Sequence, residues 1–215
     1  GLNCPVRRKV VRDLVRDTKC TIVALQETKL AVFSEALVTD TLGVKFAAHF
    51  IALPAQGTRG GALIAVDEDY FTLHHAEFRS HSVTALLRSC RTAEEWWFTV
   101  VYGPQGDHEK LLFLQELKTW VDVVGDNWLV MGDFNLILSA ADKSNANLNR
   151  RLMGEFKNDV TQTRIDRAFC TVAWDLMLPS SGLLAISSLM SDHCPLLLMG
   201  GVAVRKFKGF RFESF

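Results

Sequence analysis

The feature that most constrains this chain is a series of short apolar segments, each cut off by glycine or by an acidic or amide side chain. Val23-Ala24-Leu25 runs into Gln26-Glu27, Phe98-Thr99-Val100-Val101-Tyr102 into Gly103-Pro104, and Trp128-Leu129-Val130-Met131 into Gly132-Asp133-Phe134-Asn135. Segments this short and this continuously apolar suit strands covered on both faces. Strands are therefore expected at 20–25, 44–53, 61–66, 82–88, 96–102, 128–131, 164–170, 183–189 and 195–199. Helical periodicity marks 6–17, where Val6, Val10, Val11, Leu14 and Val15 share a face, and 110–124, with Leu111, Leu114, Leu117, Val121 and Val124. A third helical pattern lies at 147–157. Several strands in a row, interrupted by a few helices, predict an α/β fold of two packed sheets with helices outside. A doubly wound parallel sheet would need stricter alternation.

Composition narrows the class without naming it. The 215 residues suffice for one sizeable domain, and two small ones are the weaker alternative. With 48% hydrophobic and 22% charged residues, the chain is not of the disordered type. Its formal net charge is 0, so any positive field that attracts nucleic acid must be local. Cys4, Cys20, Cys90, Cys170 and Cys194 are scattered with no C-x-x-C pair. They read as reduced, mostly buried thiols of an intracellular protein without a structural zinc site. Apolar stretches fall short of the roughly 20 residues of a membrane span, so no membrane partner is expected. Arg7, Arg8 and Lys9 are followed by no apolar run of the signal-peptide kind. The chain opens on Gly1, which reads as a processed product or a piece of something longer.

Acidic, amide and tyrosyl residues recur where apolar segments stop, which would gather them on one rim of a sheet. Each has an ordinary explanation when taken alone. Glu27 after a strand is usually a loop residue, Gly132-Asp133-Phe134-Asn135 can be a plain turn, and Tyr102 can simply pack. Taken in order, Gln26-Glu27-Thr28, Val101-Tyr102-Gly103-Pro104, Gly132-Asp133-Phe134-Asn135, Arg164-Ile165-Asp166 and Ser191-Asp192-His193 carry more weight. The series resembles the motifs of the endonuclease/exonuclease/phosphatase superfamily, which includes abasic-site endonucleases and DNase I-like nucleases. Within it, the opening 1–15 and the tail Phe210-Arg211-Phe212-Glu213 look most like the endonuclease domain of plant non-LTR (LINE-type) retrotransposons.

That resemblance implies a four-layer α/β sandwich, two mostly antiparallel sheets flanked by helices, and hydrolysis of a phosphodiester in DNA with Mg2+ or Mn2+. It implies Glu27 as metal ligand, with Asp192 completing or orienting the metal shell. Oxygen ligands of this kind suit magnesium, which takes one or two carboxylates plus waters and phosphate oxygens. Asp166 matches the carboxylate that pairs with His193, fixing its tautomer and stabilising its charged form. Either Asp133 or His193 takes the proton of the attacking water. Tyr102 and Asn135 match neutral donors to phosphate oxygens, placed to stabilise charge developing in the transition state. Lys29 either touches a phosphate or is merely solvated. Cys194, followed by Pro195 and an apolar run, reads as the start of a strand and not as a nucleophile.

The domain is expected to span 1–200. The tail 201–215 carries Arg205, Lys206, Lys208 and Arg211 among Phe207, Phe210 and Phe212. That mixture suits single-stranded nucleic acid or a solvated linker. Two departures from the family pattern stand out. Gly1 aligns with the end of the family's Trp-Asn-x-Arg-Gly motif, so that first strand and its Asn are expected to be missing, and Asn3 is not their equivalent. The interval from Asp133 to Asp166 is roughly half that of relatives, which implies an inner segment lost near 158–163. The leading expectation is therefore a monomeric nuclear DNA-nicking endonuclease of impaired activity. The competing expectations are a catalytically inactive nucleic-acid-binding remnant and a phosphoesterase on small or lipid substrates.

Overall fold

The computed structural model describes residues 1–57, 60–136, 167–178, 181–186 and 195–199. Helix α1 (Pro5–Thr18) starts with proline in its first turn and stops at Lys19, whose φ of 53° turns the chain out of the helix. Strand β1 (Ile22–Gln26) follows, then α2 (Glu35–Leu42), whose N-cap Ser34 accepts the Leu37 N–H at 3.2 Å. Next come β2 (Phe50–Leu53), β3 (Ala62–Val66), β4 (Phe71–Phe78), β5 (Ser82–Ser89) and β6 (Glu95–Tyr102). Helix α3 (Asp107–Trp120) leads to β7 (Trp128–Asp133). Beyond the undescribed stretch lie β8 (Arg167–Cys170), α4 (Val172–Met177), β9 (Gly182–Ala185) and β10 (Leu196–Met199).

The strands form a three-stranded antiparallel sheet, β1-β3-β2, a five-stranded sheet, β4-β5-β6-β7-β8, and the antiparallel pair β9–β10. Only β6 and β7 pair in parallel in the five-stranded sheet, because α3 carries the chain back between them. Strand β3 shows how the layers stack. Its five residues are all buried, and they alternate between two cores. Ala62, Ile64 and Val66 meet Val83, Ala85, Leu87, Phe98 and Val100 of the five-stranded sheet. Leu63 and Ala65 meet Val15 of α1 and Val38 and Leu42 of α2. A third core, with Val101, Val130 and Phe169 under Phe113 and Leu114, joins α3 to the far face of the five-stranded sheet. The order is helix, sheet, sheet, helix, the four-layer α/β arrangement expected from the sequence. Complete burial of a side chain such as Ile64 contributes about 1.5–3 kcal/mol.

The structure corrects several sequence expectations. The expected strand 44–53 is a 3₁₀ turn, Val44–Phe46, and only then β2. Gly43, at φ 111°, ends α2, and the turn delivers Phe46 to the α1/α2 core at 4% exposure. Strand β4 was not expected, because Phe71–Phe78 lacks a continuous apolar run. It is an edge strand with a bulge between Leu73 and Ala76, and His74 and His75 lie exposed there. Helices α2 and α4 also went unexpected, and α3 begins at Asp107 and breaks into turns after Trp120, short of the expected end at 124. The thiols are not mostly buried: Cys4 and Cys90 are exposed, Cys20 and Cys170 half-buried, and none of these four is in a disulfide. Among the described residues no helix is long and apolar enough to cross a membrane. The helix expected at 147–157 and the proposed deletion near 158–163 lie outside the described residues, as do the tail and Cys194.

Candidate active site

Three strands stop at one edge of the sandwich, and each delivers a polar side chain. In the parallel pair β6–β7, Tyr102 stands opposite Asp133. Strand β1 of the other sheet ends beside them at Gln26 and continues into Glu27. The Tyr102 hydroxyl donates to Glu27 Oε1 across the gap between the sheets. Tyr102, Glu27, Asp133 and Asn135 are all partly exposed, so the cluster opens to solvent at a rim and is not sealed in the core.

The backbone around these residues is bent into a conformation that side-chain-bearing residues avoid. Glu27, Lys29 and Asn135 have φ of 48°, 57° and 49°. A left-handed non-glycine residue costs about 1–2 kcal/mol, and such strain concentrates at functional sites. Here it is held by the β1–β3 ladder running on past the strand ends. The N–H of Thr28 bonds the Gly61 carbonyl at 3.2 Å and that of Lys29 bonds Gly60 at 3.0 Å. Thr28 is only 1% exposed, and its Oγ1 has no partner among the described residues. Gly61 (φ 86°) lets the two loops meet, since a Cβ there would stand 2.3 Å from Thr28 Oγ1.

Asp133 is set by both sheets. Its N–H donates to Gln26 Oε1 at 3.2 Å, and its own Oδ1 accepts the Asn135 N–H at 2.9 Å. Asn135 in turn donates from Nδ2 to the Gly103 carbonyl at 2.6 Å, while the Gly103 N–H reaches the Asp133 carbonyl at 2.7 Å. The Gly-Asp-Phe-Asn and Tyr-Gly-Pro segments are thereby laced into one unit. Gly132 (φ 140°) is where the sheets touch: a Cβ there would lie 2.1 Å from both Gln26 Nε2 and the Val101 carbonyl oxygen. Gln26 was quoted in the sequence motif without a role, and the structure makes it the bridge that holds Asp133. Its signal was its place directly before Glu27, but only the second sheet shows what the side chain reaches.

The electrostatics follow from this packing. Burial, then the bond to Glu27 and the negative charges of Glu27 and Asp133, raise the Tyr102 hydroxyl well above the ordinary tyrosine value. Tyr102 is therefore a neutral donor at neutral pH. The donors gathered here are carboxylate, amide and hydroxyl oxygens, the chemistry that a hard cation such as magnesium selects. Among the described residues no three His, Cys, Asp or Glu side chains meet as a closed metal cage. Glu27 with one further carboxylate fits magnesium, which keeps its waters and substrate oxygens. Lys29 is half-buried at the rim; its carbonyl accepts Asn3 Nδ2 at 2.8 Å, and its ammonium makes no ion pair among the described residues. Strand β8 opens with Arg167 opposite Gly132, at this same edge. Asp166, Asp192, His193, Arg205, Lys206, Lys208 and Arg211 lie outside the described residues.

Solved structures share this architecture. A functionally unknown conserved protein from Enterococcus faecalis V583 superposes with a TM-score of 0.57 at 13% identity, covering 91% of each chain. D. rerio TDP2 complexed with a single-strand DNA product gives 0.53 at 13%, covering 88% of this chain and 89% of that one. A mannosyl-6-phosphatase of Bacteroides thetaiotaomicron VPI-5482 gives 0.53 at 13%, covering 90% and 91%. No curated protein matches the sequence. At these identities the likeness speaks to the fold alone. The model of the Endonuclease/Exonuclease/phosphatase family matches residues 1–193, nearly the whole length and every strand-end motif at the rim, and the chain belongs to that family.

Proposed function

We propose that this protein is a divalent-metal-dependent DNA endonuclease of the retroelement type, which nicks one strand by phosphodiester hydrolysis. Enzymes of the family hydrolyse phosphodiester bonds and generally use divalent metals. The observation that carries the reading is the Tyr102–Glu27 hydrogen bond between the two sheets, with Asp133 beside it. It leaves the second Glu27 carboxylate oxygen without a partner among the described residues, pointing the site toward a cation and not toward a salt bridge. Support for DNA comes from the relative whose structure holds a single-strand DNA product.

Glu27, with Asp192, would hold a divalent cation such as magnesium, which would supply Lewis-acid polarisation of the scissile phosphate and charge stabilisation of the leaving oxygen. The protein's own residues do the rest. With Glu27 engaged by a cation, the single O–H of neutral Tyr102, which donates to Glu27 in the structure, would turn to a non-bridging phosphate oxygen. The Asn135 amide, pinned to Gly103 by one N–H, offers its other N–H in a fixed direction. Asp133 or the Asp166–His193 pair accepts the proton of the attacking water. The domain is read as 1–200, monomeric and nuclear, with 201–215 as a basic-aromatic tail.

Incubation with supercoiled plasmid tests the reading directly. Magnesium or manganese is expected to convert supercoiled DNA to open circle, and EDTA or the Glu27→Gln substitution to abolish it. Nicking that survives in chelator, or that is missing with either metal present, would overturn the proposal.

A further inference from the structure

The turn between β4 and β5, Arg79-Ser80-His81, sits at the same end of the five-stranded sheet as Tyr102, and it is built with unusual care. Arg79 N–H closes the turn onto the Ser82 carbonyl at 2.9 Å, and the Tyr102 N–H donates to the His81 carbonyl at 2.9 Å. Beneath it, the indole N–H of Trp120, a residue fully buried, donates to Ser82 Oγ at 3.0 Å. Ser82 Oγ donates in turn to Glu116, whose same oxygen accepts the His81 N–H at 3.3 Å. The His81 ring stands edge-on to Phe113. On this platform the Arg79 guanidinium lies 3.9 Å over the Trp120 ring and donates to Thr119 Oγ1.

A surface arginine held by an aromatic face and a hydroxyl has already lost much of its rotamer freedom. Yet Arg79 forms no ion pair among the described residues, while the nearby Glu116 carboxylate is engaged by Ser82 and His81. A partly exposed, pre-oriented, uncompensated guanidinium is suited to bind an anion in a planar, bidentate way. Its Cα is two residues from that of His81, a span of at most about 7 Å, and His81 neighbours Tyr102.

We infer that Arg79 binds a backbone phosphate of the nucleic-acid strand beyond the rim that carries Tyr102 and Asp133. The inference rests on the nuclease reading above. Arg79 thereby contributes affinity without base preference.

The test is binding of a labelled duplex oligonucleotide by fluorescence anisotropy, in EDTA so that no cleavage occurs, across a series of KCl concentrations. Arg79→Gln keeps a planar amide over Trp120 and next to Thr119 but removes the charge. It is expected to reduce the slope of log affinity against log salt by about 0.9, the loss of one phosphate contact. Arg79→Lys, which keeps the charge, is expected to retain the slope. Should the Gln protein melt below the assay temperature, Ser80→Glu at the exposed turn position neutralises Arg79 in an intact corner and is expected to give the same loss. An unchanged slope in the uncharged or neutralised variant, or an equal loss in Arg79→Lys, would overturn the inference alone. Failure of the unmodified protein to bind the duplex would overturn it together with the nuclease reading.

Discussion

The two ends of the β6–β7 pair are built on opposite principles. At the end where the strands begin, Trp97 lies opposite Trp128, and large side chains do the fastening. The Trp128 indole donates to Thr99 Oγ1 at 2.8 Å, Thr99 shares a hydroxyl hydrogen bond with Thr84, and the Trp128 N–H reaches Thr171 Oγ1 at 3.1 Å. At the end where they finish, small residues and bent backbone do it: Gly103, Gly132 and left-handed Asn135, with Gln26 reaching across from the other sheet. The first end is an anchor of large side chains, tied by hydrogen bonds among Trp128, Thr99, Thr84 and Thr171. The second accepts strain and partly exposed polar groups, so that Tyr102, Glu27 and Asp133 face outward in fixed positions. Local rules are broken where the polar rim is assembled, and the cost is offset by the regular packing elsewhere.

The sharpest way to break this contrast is at Gly132. Gly132→Ala combines left-handed strain of about 1–3 kcal/mol with overpacking of about 1–3 kcal/mol against Gln26 and Val101. A loss near 4 kcal/mol in denaturant unfolding is expected; a loss under about 1 kcal/mol would show that the two sheets separate easily here.

Tyr102→Phe tests the function of the same end without touching its packing. The nicking rate is expected to fall about 100- to 1000-fold, the effect of removing one donor aimed at the transition state. Loss of the bond to the Glu27 carboxylate is expected to lower stability by about 1.5–3 kcal/mol, and a rate within threefold of the parent would assign Tyr102 to a structural role alone. Because its hydroxyl is raised, the parent activity is also expected to show no loss from tyrosine ionisation as pH rises through the ordinary tyrosine value of about 10.

Gln26→Ala leaves the Asp133 N–H without its acceptor. About 1–3 kcal/mol of stability is expected to be lost, with a rate decrease that Gln26→Glu restores only in part, since a carboxylate accepts the bond but repels Asp133. The smallest effect belongs to the other end. Trp128→Phe removes one indole hydrogen bond, about 0.5–1.5 kcal/mol, while Thr99 keeps Thr84 as partner. Stability should drop by that amount with no change in nicking; a large rate loss would mean the two ends are not independent.

Much of the rim was legible beforehand because chain order and strand ends are local properties. The Gln-Glu-Thr, Tyr-Gly-Pro and Gly-Asp-Phe-Asn segments each sit where an apolar run stops, and all three converge on one rim. Less was legible where tertiary packing overrides pattern. Phe71–Phe78 looks polar because an edge strand exposes one side, and 44–53 looks like one strand because Gly43 gives no hint that Phe46 turns inward.

The sequence by itself determined the layered α/β class and the family, since periodicity and motif order are written along the chain. The tertiary structure alone decided that Gln26 holds Asp133, that Gly132 must have no side chain, and that Arg79 lies over Trp120. Those contacts join residues from 31 (132 − 101) to 107 positions apart, between strands or layers whose approach only the packed core sets.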